Sequence, residues 1–190
     1  MRTALIVIDL INDIVHPDGA FPAAAAQVVA RGVIAQANAL AARARQAGAP
    51  VVLVRVGFPP GYPNYPDHSP LFGLARQKGA LLLGSWGTEF HPDLTVDPSD
   101  TIIVKPRVSA FYATSLADSL AVWGTQRLVI CGVSTEAGVL TTARAAHDRD
   151  FHVVVAADAC ASGNPALHEA ALAMMARTGA VLASDAVPLG

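Results

Sequence analysis

Short apolar runs alternate with helix-patterned segments along the whole 190-residue chain. Thr3–Asp9 (TALIVID) is a continuous β-branched run, the pattern of a strand buried on both faces. Phe21–Gly48 then reads as one long Ala-rich helix, with Pro22 in its first turn and Gly48 as its stop. Pro50–Val56 (PVVLVRV), Thr101–Lys105 (TIIVK) and Arg127–Cys131 (RLVIC) predict the second, third and fourth strands, with a short helix over Ser115–Gly124 before the fourth. Glu136–Asp148 predicts another helix, His152–Asp158 (HVVVAAD) a fifth strand and Pro165–Gly179 a last helix. Ala180–Val187 opens with a sixth strand.

Strands alternating with helices predict βαβ units joined by right-handed crossovers. The expected fold is an α/β three-layer αβα sandwich, a single domain over residues 1–190 around a mostly parallel, Rossmann-like sheet of about six strands. One stretch breaks the alternation. Gly57–Pro98 is rich in Pro, Gly, Tyr and His, and a loop of that length inside a compact domain usually serves as a lid or pocket wall. A short helix is expected within it around Leu71–Lys78.

Composition narrows the class. Apolar residues make up 53% and charged residues 15%, a balance that excludes a disordered chain. A formal charge of −2 supplies no basic footprint for nucleic acid or a membrane surface, so the expected partner is a small-molecule substrate. The two cysteines sit in apolar surroundings and read as reduced thiols. Met1-Arg2-Thr3 runs straight into strand pattern, and no apolar run approaches the roughly 20 residues of a membrane span. A cytoplasmic location is expected. The histidines are scattered without metal-ligand spacing, so neither a metal nor another cofactor is expected.

In an open parallel sheet, ligands bind beyond the carboxyl ends of the strands. Two of those ends carry charge: Asp9 closes the first strand and Lys105 the third. Either alone has an ordinary explanation, Asp as a turn former and Lys as a solvated exit residue. Together they predict an ion pair beside a pocket, because a partly buried carboxylate needs a cationic neighbour. The fourth strand runs into the glycine turn Gly132–Thr135.

These residues carry a resemblance. ALIVIDLINDIVHPDGAF, IIVKPRVSAFYATSL and VICGVSTEAGVLTTARAAHDRDFHVVVAADACA resemble, in order and spacing, the isochorismatase-like hydrolase superfamily, which includes nicotinamidases and other cysteine amidohydrolases. The resemblance implies a catalytic Asp at Asp9, a catalytic Lys at Lys105, a cis peptide between Val133 and Ser134, and substrate held beside Val133, Ser134 and Thr135. It also places a nucleophilic Cys six residues after Gly132, and there the chain has Gly138. An amidase of this kind needs a thiolate to form its thioester, so thiol-dependent chemistry is not expected.

Isochorismatases proper resemble this chain in having glycine at that position, and they hydrolyse a vinyl ether by protonating carbon. The resemblance therefore implies acid catalysis from Asp9. Trp86, Arg107 and Phe111 are further candidates for the substrate wall, with Arg55, Arg76 and Lys78 as other basic residues near it. Two alternatives stay open. One is small-amide hydrolysis by a relocated nucleophile (Cys160, Ser134 or Thr135), and the other is a catalytically silent member kept for binding or assembly. The family resemblance also implies a homodimer or larger homo-oligomer.

Overall fold

The structure is a computed structural model describing residues 1–190. Its centre is one sheet of six parallel strands: β1 Thr3–Ile8, β2 Val51–Val56, β3 Thr101–Lys105, β4 Arg127–Val133, β5 His152–Ala161 and β6 Ala180–Leu182. The spatial order is β3-β2-β1-β4-β5-β6. The chain builds outward from β1 to β3, then crosses back and builds outward on the other side. The crevice between β1 and β4, where the winding reverses, is the expected ligand position of such a sheet. β1 is buried at every residue, as its unbroken apolar run requires.

Six α-helices accompany the strands: α1 Asn12–Val15, α2 Ala25–Ala30, α3 Val33–Gln46, α4 Leu116–Val122, α5 Leu140–His147 and α6 Pro165–Met175. The sequence predicts one helix over Phe21–Gly48, and the structure divides it. A 3₁₀ turn over Pro22–Ala24 leads into α2, and Gly32, at φ 63°, breaks the chain before α3. The run on both sides is rich in good helix formers, which is why composition conceals the break. Just before the break, Arg31 Nε donates to the carbonyl of Cys160 at 3.2 Å, fixing α2 to the far end of β5.

Two other expectations are corrected. β5 continues to Ala161, three residues beyond the predicted end, and carries Asp158 and Cys160 within it. Its pairing with β4 shifts register between Ile130 and Gly132 and resumes at Gly132–Cys160 and Val133–Ala161. Leu71–Lys78 forms a chain of hydrogen-bonded turns rather than a helix. The long segment nonetheless has its own small core, in which Phe58, Tyr65, Phe72, Ala75 and Leu81 pack with Ile11 and Val56. No helix is long and apolar enough to cross a membrane.

Candidate functional site

The site begins where β1 stops. Asp9 takes a left-handed conformation, φ 54°, while its N–H still donates to Val54 on the neighbouring strand at 2.9 Å. Its side chain is held from two directions. Oδ1 accepts from the Val56 N–H at 2.8 Å, and Oδ2 accepts from Lys105 Nζ at 2.8 Å. Lys105 stands on β3, two strands away, in register with Val56 of the intervening β2. The lysine stem therefore reaches across β2 to meet the aspartate. Its ammonium also donates to the carbonyl of Arg107 at 3.1 Å. Both residues are buried, with relative exposures of 5% for Asp9 and 2% for Lys105.

Burial pushes the Asp9 carboxyl above the ordinary carboxylate range, against the opposing pull of the Lys105 charge and of its hydrogen bonds from Lys105 and Val56. A proton at this site is thus easier to keep than at a surface aspartate.

β4 supplies the opposite wall. Gly132 has φ 115°, and a Cβ there would overlap the backbone of Ile8, so only glycine lets β4 lie this close to the end of β1. The Val133–Ser134 peptide that follows is cis. Thr135–Val139 forms a single π-helical turn before α5 begins. Within that turn a Cβ at Gly138 would lie 3.5 Å from Asp9 Oδ2 and 3.0 Å from both Ile8 Cγ2 and the Val133 carbonyl. Position 138 thus faces the Asp9 carboxylate directly, and it carries no side chain.

These groups border a cavity of about 380 Å³. Asp9 and Lys105 meet Ser134, Glu136 and Gly138 of the turn, and Leu71, Phe72 and Leu81 of the long segment add an apolar wall. Phe21, before α2, and Gly163 and Asn164, after β5, complete the enclosure. Asn164 Oδ1 caps α6 by accepting from the Ala166 and Leu167 N–H groups, at 2.9 and 3.3 Å.

Of the sequence candidates, Asp9, Lys105, Ser134 and Gly138 come together here. The others lie elsewhere. Val133 is fully buried in β4, and Thr135 hydrogen-bonds His168 Nδ1 at 2.8 Å behind the turn. Trp86 is 46% exposed and packs edge-on against His16, with ring centroids 5.1 Å apart. Phe111 stacks on Phe151 in the main core. Arg107 spends its guanidinium on the Pro106 and Asn64 carbonyls and lies over Tyr112. The remaining basic candidates do not border the cavity either, although the buried Arg55 Nε has no hydrogen-bond partner. Arg55 donates to the Thr88 carbonyl, Arg76 pairs with Asp67, and Lys78 donates to the Ala20 carbonyl.

The thiols are not substitutes for the absent nucleophile. Cys131 and Cys160 are fully buried within β4 and β5, and neither borders the cavity. Burial pushes both up, Cys160 to about 12, so neither is a thiolate near neutral pH.

Two residues were not identified as site candidates from sequence. Glu136 borders the cavity, and one of its carboxylate oxygens is buried without a hydrogen-bond partner. Asp13 is buried below the long segment, accepting from the Leu81 N–H at 2.7 Å and from the Ala20 N–H at 3.3 Å. Its signal in the sequence is a second aspartate four residues after Asp9, in an otherwise apolar stretch.

A parallel α/β sheet with a buried Asp–Lys pair at its switch point defines the class to which the chain is similar. The isochorismatase domain family matches residues 3–186, and the chain belongs to that family of hydrolases. Among its relatives is a ureidoacrylate amidohydrolase, RutB, from Methylobacterium radiotolerans, 36% identical over 185 residues, covering 90% of this chain and 72% of that protein. An uncharacterized isochorismatase family protein from Escherichia coli O157:H7, YecD, is 36% identical over 170 residues, covering 87% of this chain and 83% of that one. In three dimensions, an isochorismatase family protein from Desulfovibrio vulgaris superposes with a TM-score of 0.85 at 27% identity, over 97% of this chain and 95% of that chain.

Proposed function

We propose that the protein hydrolyses a small metabolite by acid catalysis from Asp9, with water rather than a protein side chain forming the new bond. The observation that carries this reading is the juxtaposition at position 138. A side chain there would abut the Asp9 carboxylate, yet the residue is glycine, and both thiols of the chain are sealed in the sheet. Covalent catalysis would need a nucleophile with a base beside it. Of the two hydroxyls of the turn, Thr135 is turned to His168 and only Ser134 borders the cavity.

The bond type best suited to this arrangement is a vinyl ether. Protonated Asp9 adds its proton to the terminal alkene carbon and leaves an oxocarbenium ion. Water adds to that cation and loses a proton to the Asp9 carboxylate. The hemiketal so formed collapses to a ketone and an alcohol. Lys105 holds the carboxyl group in place and stabilises the carboxylate after each proton leaves. The apolar wall of Leu71, Phe72 and Leu81 keeps the medium poorly solvating, which favours the protonated acid.

A second reading, hydrolysis of an amide-type bond by water with Asp9 as base and then acid, is supported by the relative named as a ureidoacrylate amidohydrolase. One panel separates the two: isochorismate with pyruvate detection, ureidoacrylate and nicotinamide with ammonia detection, each with and without iodoacetamide. Pyruvate release indifferent to alkylation supports the first reading, and ammonia release indifferent to alkylation supports the second. Alkylation-sensitive turnover of any substrate removes the thiol-free mechanism.

A further inference from the structure

A single side-chain hydrogen bond ties the turn Ser134–Val139 to the rest of the protein. It joins Thr135 Oγ1 to His168 Nδ1 of α6 at 2.8 Å, and no other side chain of the turn makes one. Both partners lie out of solvent, with exposures of 0% for Thr135 and 2% for His168. The imidazole has no second bond: its Nε2 is buried without a partner, 3.9 Å from Glu169 Oε1. A threonine hydroxyl both donates and accepts, so the bond persists whichever ring nitrogen carries the proton and whether or not the ring is charged.

The opposite face of the same turn closes off Asp9. A Cβ at Gly138 would lie 3.5 Å from Asp9 Oδ2, so the backbone there stands against the carboxyl group. Exclusion of water is the main reason that Asp9 keeps its proton above the ordinary carboxylate range. Lys105 opposes it from β3, and Glu136 is the one other charged side chain on the cavity. His168 meets Arg31 just after α2, Glu136 in the turn and Glu169 on its own helix. Burial and Arg31 push the ring down, and the two glutamates act the other way.

We propose that His168 is a positioning residue for the acid: through Thr135 it holds the turn Ser134–Val139 against Asp9 and keeps water from the carboxyl group. His168 does not border the cavity, so its effect passes through the turn rather than through substrate. With the turn released, water reaches Oδ2, the charged form becomes less costly and the pull of Lys105 is less opposed. The proton then leaves at lower pH. The inference rests on Asp9 being the acid proposed above, but it concerns the proton on Asp9, so titrating that group tests it without turnover.

The Asp9 carboxyl carbon is followed by NMR in the intact protein, labelled at its aspartates and assigned by the signal missing from Asp9→Asn. Thr135→Val keeps the shape and deletes the hydroxyl, whereas Thr135→Ser keeps the hydroxyl and deletes the methyl group. In Thr135→Val the Asp9 midpoint is expected to move to lower pH by about half a unit or more, about a threefold loss of proton affinity. In Thr135→Ser it is expected to stay. From the other side of the bond, His168→Leu should reproduce the shift. His168→Asn, whose amide places a polar atom where Nδ1 stands, should restore the midpoint, and this pair decides the matter if a Thr135 variant fails to fold. The fall of kcat/KM with rising pH should move with the midpoint while its low-pH level is kept. An unmoved midpoint in Thr135→Val and His168→Leu overturns the proposal. A shift as large in Thr135→Ser as in Thr135→Val overturns it too, because packing rather than the bond would then hold the turn. The expected shifts in a protein that turns over none of the panel would count against the hydrolytic reading alone.

Discussion

Asp9 and Lys105 form a pair whose two members lie 96 positions apart in the chain yet meet at 2.8 Å. Replacing Asp9 by Asn keeps the shape and removes the transferable proton. Turnover is expected to fall by about 10²- to 10⁴-fold, the usual span for a lost general acid, while the far-ultraviolet spectrum and melting transition remain those of a folded chain. Retained turnover would remove Asp9 from the mechanism. The pH dependence has a definite sign. Burial raises the folded-state pKa of Asp9, so the folded chain retains a proton that the unfolded chain has released. The stability tied to that proton is full below the unfolded pKa and is lost as pH rises through the folded one. Acid catalysis follows the same sense: kcat/KM is expected to be level at low pH and to fall as pH rises through the Asp9 pKa. A profile that rises across that window would assign Asp9 the role of base. Both charged residues were legible in the sequence because each ends an apolar strand, where a charge is conspicuous. Glu136 was not, because a glutamate in the first turn of a helix is ordinary on a surface, and only the cavity makes it unusual.

At the scale of elements, the turn after β4 carries most of the site, and its strand–glycine–helix order was readable from sequence. Its π-helical geometry was not, since five residues of Thr135–Val139 carry no period of their own. The same holds for the break at Gly32, because a single glycine inside an Ala-rich run of good helix formers does not by itself announce an end. The turn offers a direct experiment. Gly138→Cys would place a thiol beside Asp9, with its Cβ 3.5 Å from Oδ2. The contacts at 3.0 Å with Ile8 and the Val133 carbonyl require small shifts, so a loss of about 1–3 kcal/mol in stability is expected from overpacking. Native protein treated with iodoacetamide should take up no label in the wild type, because Cys131 and Cys160 are sealed and protonated. The variant should take up one equivalent, read by intact mass. Native labelling of the wild type would contradict the burial of its thiols, and an unlabelled variant would contradict the exposure of position 138 to the cavity.

At the scale of the whole molecule, the sheet order follows from alternation, but the route of Gly57–Pro98 does not. That segment has neither helical nor strand period, and its placement is decided by groups distant in sequence. Asp13 accepts from Leu81, Asn12 donates to the Trp86 carbonyl at 2.9 Å, and Tyr62 donates to the Ala80 carbonyl at 2.7 Å. Because Leu81 also borders the cavity, the segment after β1 holds Asp9 and the anchor of the opposite wall within five residues. Asp13→Ala removes that anchor and leaves the buried Leu81 N–H without an acceptor, an expected loss of about 1–3 kcal/mol. The loss should be local rather than global, since the small core around Phe58, Tyr65 and Phe72 is separate from the main one. Limited proteolysis should therefore cut the variant first within residues 59–79, leaving the sheet intact by circular dichroism. With Leu71, Phe72 and Leu81 no longer held against the site, KM should rise more than kcat falls when both are measured at a pH low enough to keep Asp9 protonated without the wall, because there the wall contributes only substrate binding. Cleavage spread evenly over the chain, or a fall in kcat at constant KM, would show that Asp13 supports the whole fold or the chemistry rather than the wall.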